Sequence, residues 1–329
     1  MNKIDYLKQQ IKITMNRMTM FWEFYADYRN YKRWNYNNSR VKTRAAQESK
    51  ILRQTHMIEK GMSLSHPRKG FGQAKISVLF EMMDEYVDMG FPTEGIPFQN
   101  ALCVLTEYID EQHKFGYENA EMIGKLRKYD KYRIPNVKAG IVFDTKENLM
   151  SYVDRSFPEF FNSRHSMRQF SAQPVSADDI KKAIKIAQKA PTACNRQASK
   201  VYMYSDEDTN RKLGMLIAGN TGFDQEVRNY LVVTADVSAF YDTFERNQVY
   251  VEAGFFSMAL VQALHYYGIG SCVLQNGEYK KKNRQFKDIC KNIPENERII
   301  LFIAVGYYKD AFAYAVSLRK NVDDIFIIK

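Results

Sequence analysis

The sequence has little of what staples, breaks or anchors a chain. Four cysteines stand at 103, 194, 272 and 290 in 329 residues, none in C-x-x-C spacing. That excludes a disulfide scaffold and makes a reducing, cytoplasmic setting the default expectation. With 8 prolines and 16 glycines, the chain is neither collagen-like nor of low complexity. The longest apolar run, residues 299–305 (IILFIAV), falls far short of the roughly 20 residues of a membrane helix. Lys3, Asp5, Lys8 and Lys12 interrupt the first apolar residues, so no signal-peptide core is expected. Neither G-x-G-x-x-G nor G-x-x-x-x-G-K occurs, so no separate dinucleotide or P-loop module is expected.

What is present is charge, unevenly placed. The net charge is +10, with +11 in residues 1–75, −5 in 76–150 and +4 in 151–329. A basic start can attract phosphates, an anionic surface or an acidic partner, and it also reads as a solvated helix face. No zinc-finger spacing, RNP-like motif or clear helix-turn-helix accompanies it, so nucleic acid is not expected.

The length suggests about two domains, and the pattern divides near residue 140. Leu7, Ile11, Met15, Met18, Trp22 and Tyr25 step by three and four, the stripe of a core or a helix–helix seam. Tyr25, Tyr28, Tyr31, Trp34 and Tyr36 interleave with Arg29, Lys32, Arg33 and Arg40, and their spacing favours packing over base stacking. A helix is expected over about 42–59, capped near Gly61. It carries His56 and Glu59 on one face without a third ligand, so no metal is expected. The loop 63–72 (SLSHPRKGFG) brings Arg68 and Lys69, an ordinary turn or an anion contact. Ile76, Leu79, Phe80, Met83 and Val87 form a stripe ended by Gly90, and Pro97 opens another with Ala101, Leu102, Leu105 and Ile109. Residues 1–140 are thus expected to be a helical extension, and 141–329 a second domain.

In that second part helices and strands alternate, the mark of an α/β sheet flanked by helices. Residues 176–189 read as a helix with Ser176 as N-cap. Residues 201–204, 230–235, 271–275 and 298–306 read as strands. Residues 250–267 read as a long Ala-rich helix, and 279–292 as a basic one.

Four segments in order resemble the nitroreductase superfamily of FMN-dependent oxidoreductases. They are SRHSMRQF (163–170), APTACNRQ (190–197), the helix 250–267 with GIGSCVLQNG (268–277), and VGYY (305–308) followed by SLRK (317–320). The resemblance leaves residues 1–145 uncovered. It implies FMN as cofactor, NAD(P)H as electron donor and an electron-poor small-molecule acceptor, in two-step ping-pong chemistry. Arg164 and Ser166 would meet the phosphate and ribityl end, His165 would contribute partly through its backbone, and Arg168 would approach N1/O2 of the ring. Arg164, Ser166 and Arg168 alternate, so an extended segment points them one way, and arginine's fork suits phosphate. Alone, the pattern also reads as a surface charge cluster. Ser317, Arg319 and Lys320 resemble a second phosphate clamp. Leu274, Gln275, Asn276 and Gly277 would run past the flavin edge. Pro191, Thr192 and Ala193 would line the ring, with Asn195 and Gln197 bracing the turn.

Two departures stand out. Ala198 replaces the usual proline, and Cys194 sits where a small residue is usual, either a redox-active thiol or a buried packing residue. The family's subunits share each flavin across the long central helix, so a homodimer is expected, with Ala253, Ala259 and Ala263 as a close-packed seam. An alternative function is a flavin-binding regulatory or biosynthetic module that NAD(P)H does not reduce, tied to surface-polysaccharide metabolism.

Overall fold

The computed structural model describes residues 3–34, 42–240, 243–276 and 280–329. The chain opens with α1 (Lys3–Trp34), α2 (Arg44–Met62), α3 (Gln73–Asp88), α4 (Ile96–Lys114) and α5 (Ala120–Arg127). Helices α2 to α5 enclose one core around Ile51, Ile58, Leu79, Met83, Tyr86, Phe98, Leu102, Leu105 and Tyr108, each at most 1 % exposed. The stripes on α3 and α4 are the reason, since a three-and-four spacing must bury one face. Pro97 occupies the first turn of α4 as expected. Gly61 does not cap α2. It lies inside the helix, where its missing Cβ leaves room for Phe71, and Ser63 is the cap.

Helix α1 departs from expectation. Leu7, Ile11, Met15, Met18, Trp22 and Tyr25 are all exposed, so their stripe is no core within this chain. The end of α1 is held by ion pairs, Arg246 to Asp27 at 3.0 Å and to Glu23 at 3.1 Å. Tyr36 and Arg40 of the aromatic-basic run, and the side chains of Tyr31, Arg33 and Trp34, lie outside what is described.

After the extension come β1 (Ile141–Thr145), α6 (Lys146–Met150), α7 (Phe157–Ser163), α8 (Ala177–Ala187), β2 (Ser199–Tyr204), α9 (Glu207–Leu216), β3 (Asn229–Asp236), α10 (Gln248–Tyr266), β4 (Ile269–Gln275), α11 (Lys280–Ile289), β5 (Glu297–Tyr307) and β6 (Ala311–Ala315). Four strands form an antiparallel sheet in the order β2-β3-β5-β4. The pleat sorts its side chains by parity. Leu231, Val233, Ile303 and Val305 pack with α8 and α10, while Tyr230, Val232, Phe302 and Ala304 join Leu213 of α9 and Phe286 of α11. Helices therefore cover both faces, and β3 is buried almost throughout.

A second, two-stranded sheet pairs β1 with β6, setting Ile141 opposite Ala315. It joins the segment that follows the extension to the strand that precedes the tail. Among the described residues, no helix is long and apolar enough to cross a membrane.

The alanines of α10 face inward. Ala253 and Ala263 are buried and Ala259 packs against the sheet core, so they form no outward seam. The exposed face of α10 instead carries Val251, Phe255, Met258 and Tyr266.

Candidate functional site

The segment after α7 is an extended strip laid along the sheet. Ser166 bridges Ser271 of β4 in parallel, and Met167 N donates to Ser271 O at 2.9 Å. Phe170 bridges Tyr308, and Ser171 N donates to Tyr307 O at 2.9 Å. The strip fits because two glycines lie beneath it. A Cβ on Gly270 would stand 3.1 Å from Met167 and from Tyr308, and one on Gly306 would stand 2.6–2.8 Å from Phe170. Gly306→Ala is therefore expected to destabilise the protein by about 2 kcal/mol through overpacking in the core, read as a lowered urea midpoint. A midpoint equal to the parent's would show that Phe170 has room to move.

One buried imidazole joins three of the four motif segments. His265 of α10 lies 2.8 Å from Ser163 Oγ and 2.8 Å from Tyr308 OH. Burial, then the Arg164 charge, push it down to about 4.

Arg164 and Arg168 have one feature in common. Each Nε is buried and without a hydrogen-bond partner among the described residues. Burial, with Arg319 adding to it, lowers the pKa of Arg164, whose charge no ion pair among the described residues offsets. Arg168, 5 % exposed, reaches Ser166 O at 3.3 Å and His56 Nε2 at 3.4 Å. His165 stacks on Tyr314 with ring centroids 3.7 Å apart, and burial, then Arg164, push it down to about 4.

The tail returns to the same place. Ser317, at φ 52°, donates its N–H to Glu59 Oε1 at 2.9 Å. Arg319 Nη1 donates to Ser317 O at 2.6 Å and is exposed. Lys320 is engaged elsewhere, 3.4 Å from Glu48 Oε2. Glu48 and Glu59 of α2 are buried, so the extension clasps the tail by its two ends and leaves Arg319 without a carboxylate among the described residues.

Arg168 opens into a cavity of about 1150 Å³. Leu274, Gln275 and Asn276 line it from β4 and its end, with Gly219 and Gly222 beside them. Asn276 is fixed by donating to Ile299 O at 2.9 Å and Asn283 Oδ1 at 3.0 Å. Gly277 lies outside the described residues. The extension forms the opposite wall through Arg53, His56, Lys60 and Arg68.

Pro191, Thr192, Ala193 and Asn195 do not line this cavity. Their turn sits on α10, where Ala193 N donates to Glu252 Oε1 at 2.8 Å. Gln197 braces it through Asn195 Oδ1 at 3.0 Å. Cys194, Asn195 and Gln197 all have positive φ, 50–56°, a costly region for residues with a Cβ. Cys194 is exposed, which removes the buried-packing reading. Cys272 is buried.

Three participants escaped the sequence reading. In sequence Glu59 shows only as half of a weak metal pair, Glu48 carries no signal, and His265 is one residue of an apolar helix. Their partners lie 43 to 272 residues away, and no local pattern announces such contacts. No group of three His, Cys, Asp or Glu positioned for a metal occurs among the described residues.

Comparison with known proteins reaches the first three motif segments and the start of the fourth. The model of the nitroreductase family matches residues 162–307. A nitroreductase family protein from Streptococcus pneumoniae is 23 % identical over 53 % of this chain and 100 % of its own, with a TM-score of 0.44. One from Clostridium novyi is 19 % identical over 47 % and 86 %, with 0.42. An FMN-dependent nitroreductase from Clostridium difficile is 19 % identical over 50 % and 92 %, with 0.40. No curated protein sequence matches this chain. Residues 162–307 are thus similar to the nitroreductase family, and the chain carries that region behind a helical extension.

Proposed function

We propose that the chain is an FMN-dependent NAD(P)H oxidoreductase that reduces an electron-poor small molecule. The observation that carries this reading is the pair of buried guanidinium nitrogens without partners among the described residues, Arg164 Nε and Arg168 Nε, set along one strip. A buried donor left unpaired is costly, and two in one strip, of which Arg168 lines the cavity, point to an anionic ligand. The residues fit FMN in charge and in kind. Arg164 and Arg319 would hold the phosphate dianion, as two arginine forks suit its oxygens. Ser166 would support the ribityl end, with His165 contributing backbone.

Arg168 would place positive charge beside the ring edge where negative charge develops, the position at which a fixed cation acts most strongly. The stretch Leu274–Asn276 would supply backbone donors along the ring. Lys320, held by Glu48, would act by fixing the tail, and Ser317 by orienting Arg319 through its carbonyl. The bound flavin would take a hydride equivalent from NAD(P)H and pass electrons to the acceptor. The chain's own work is to bind, orient and polarise.

The exposed face Val251, Phe255, Met258 and Tyr266 supports a homodimer through α10. So does the position of the turn 190–197 away from this chain's cavity, because a partner's copy could complete the site with Pro191, Thr192, Ala193 and Asn195. A light-scattering mass of one chain with flavin bound would overturn that arrangement.

The test is anaerobic mixing of the flavin-loaded protein with NADH or NADPH. Rapid bleaching of the flavin colour is expected. A bound flavin that neither nucleotide bleaches would refute the reductase and favour a flavin module with another reaction.

A further inference from the structure

The cavity in front of Arg168 is larger than one ligand needs, and its cations come from two sources. Its volume of about 1150 Å³ exceeds the roughly 300–1,000 Å³ of ordinary small-molecule pockets. The nitroreductase-family part contributes Arg168. The extension contributes Arg53, Lys60, Arg68 and Lys75. Among the described residues no Asp or Glu lines the cavity, and none of these five cations forms an ion pair. Elsewhere on α2 the pattern is the reverse, with Arg44 bound to Glu48 at 2.7 Å.

Lys60 also closes the wall, donating to Gly219 O at 2.7 Å across the cleft. Burial, then Arg168, lower its pKa, as crowding of like charge without an anion would do. A low-dielectric cleft lined by one sign concentrates the opposite charge.

We infer that the helical extension equips this cleft to hold a second, polyanionic small molecule, one with paired phosphate or carboxylate groups, next to the flavin position. This rests on the flavin reading for its neighbour but not for the anion contacts themselves. Two sources share that chemistry, the diphosphate of a dinucleotide donor and an anionic acceptor. Lys69, the other basic residue of the loop, does not line the cavity, so Arg68 alone carries the anion contact considered for that segment.

The test is calorimetric titration of inorganic pyrophosphate into the full-length protein after incubation with excess FMN. Wild type is expected to bind one pyrophosphate. The variant Arg53→Gln/Arg68→Gln/Lys75→Gln is expected to bind it about tenfold more weakly or worse, with flavin content unchanged. Arg319→Gln is expected to leave pyrophosphate binding as in wild type. If the triple variant does not fold, Arg53→Gln and Arg68→Gln are read singly, each weakening the binding. Equal affinity in wild type and the extension variants, loss only in Arg319→Gln, or no binding by wild type overturns the inference. Displacement of pyrophosphate by NADH assigns the site to the donor, and simultaneous binding assigns it to the acceptor; both support it. A protein that takes no flavin but binds pyrophosphate through Arg53 and Arg68 refutes the flavin reading and leaves the anion site standing.

Discussion

Arg164→Ala is expected to weaken FMN retention about 10- to 100-fold, the loss of a charged hydrogen-bond set of roughly 1.5–3 kcal/mol. Its flavin-free form is not expected to lose stability. Arg164 is partly buried, has an Nε without a partner among the described residues and sits near a second cation, Arg319. Removing an uncompensated charge relieves desolvation rather than breaking a contact. The flavin-free variant should therefore melt at or above the parent's temperature while binding FMN poorly. A variant that melts lower and keeps its FMN would make Arg164 a structural residue and remove it from the phosphate site. Lysine at the position is expected to restore only part of the affinity, because an ammonium lacks the planar fork.

The second large effect is on acid stability. His265 is fully buried and held down to about 4 by burial and then by the Arg164 charge. The unfolded chain would take up its proton near 6.5. Between these values the unfolded state binds more protons, so stability falls as pH drops from about 6.5 towards about 4. A shift of this size is worth about 3 kcal/mol when fully expressed. His165, also lowered to about 4, acts in the same window and the same direction. Urea midpoints at pH 7 and 4.5 measure the loss. His265→Gln should remove a large part of the pH dependence, whereas an unchanged dependence would place the titrating group elsewhere. The consequence reaches the site, because Ser163, His265 and Tyr308 tie the arginine strip to α10 and to the end of β5.

How much of this was legible follows from how local each cause is. Helix α8 could be read because Ser176 caps it and its apolar residues recur at helical spacing. Strands β3 and β5 could be read because burial on both faces requires continuous apolar residues. The β1–β6 pair could not, since Ile141 finds Ala315 across most of the chain and β1 is exposed at most of its positions. The stripe on α1 shows the opposite failure. Periodicity reports that a helix has an apolar face but says nothing about what covers it, and here nothing among the described residues does.

The candidate site divides in the same way. Arg164, Ser166 and Arg168 were legible because a backbone strip carries them in register. The tail's clasp was not, because Glu48 and Glu59 lie more than 250 residues from Lys320 and Ser317. The basic excess of the first 75 residues now has a partial structural address, since Arg53, Lys60, Arg68 and Lys75 turn towards the cavity.

The most direct test of the central claim, that the strip carrying Arg164 and Arg168 is a flavin phosphate and ring site, is the FMN stoichiometry of the full-length wild-type protein. After incubation with excess FMN and removal of what is free, the account predicts one FMN per chain, displaced by neither buffer exchange nor moderate salt. A colourless protein that takes up no FMN would contradict it.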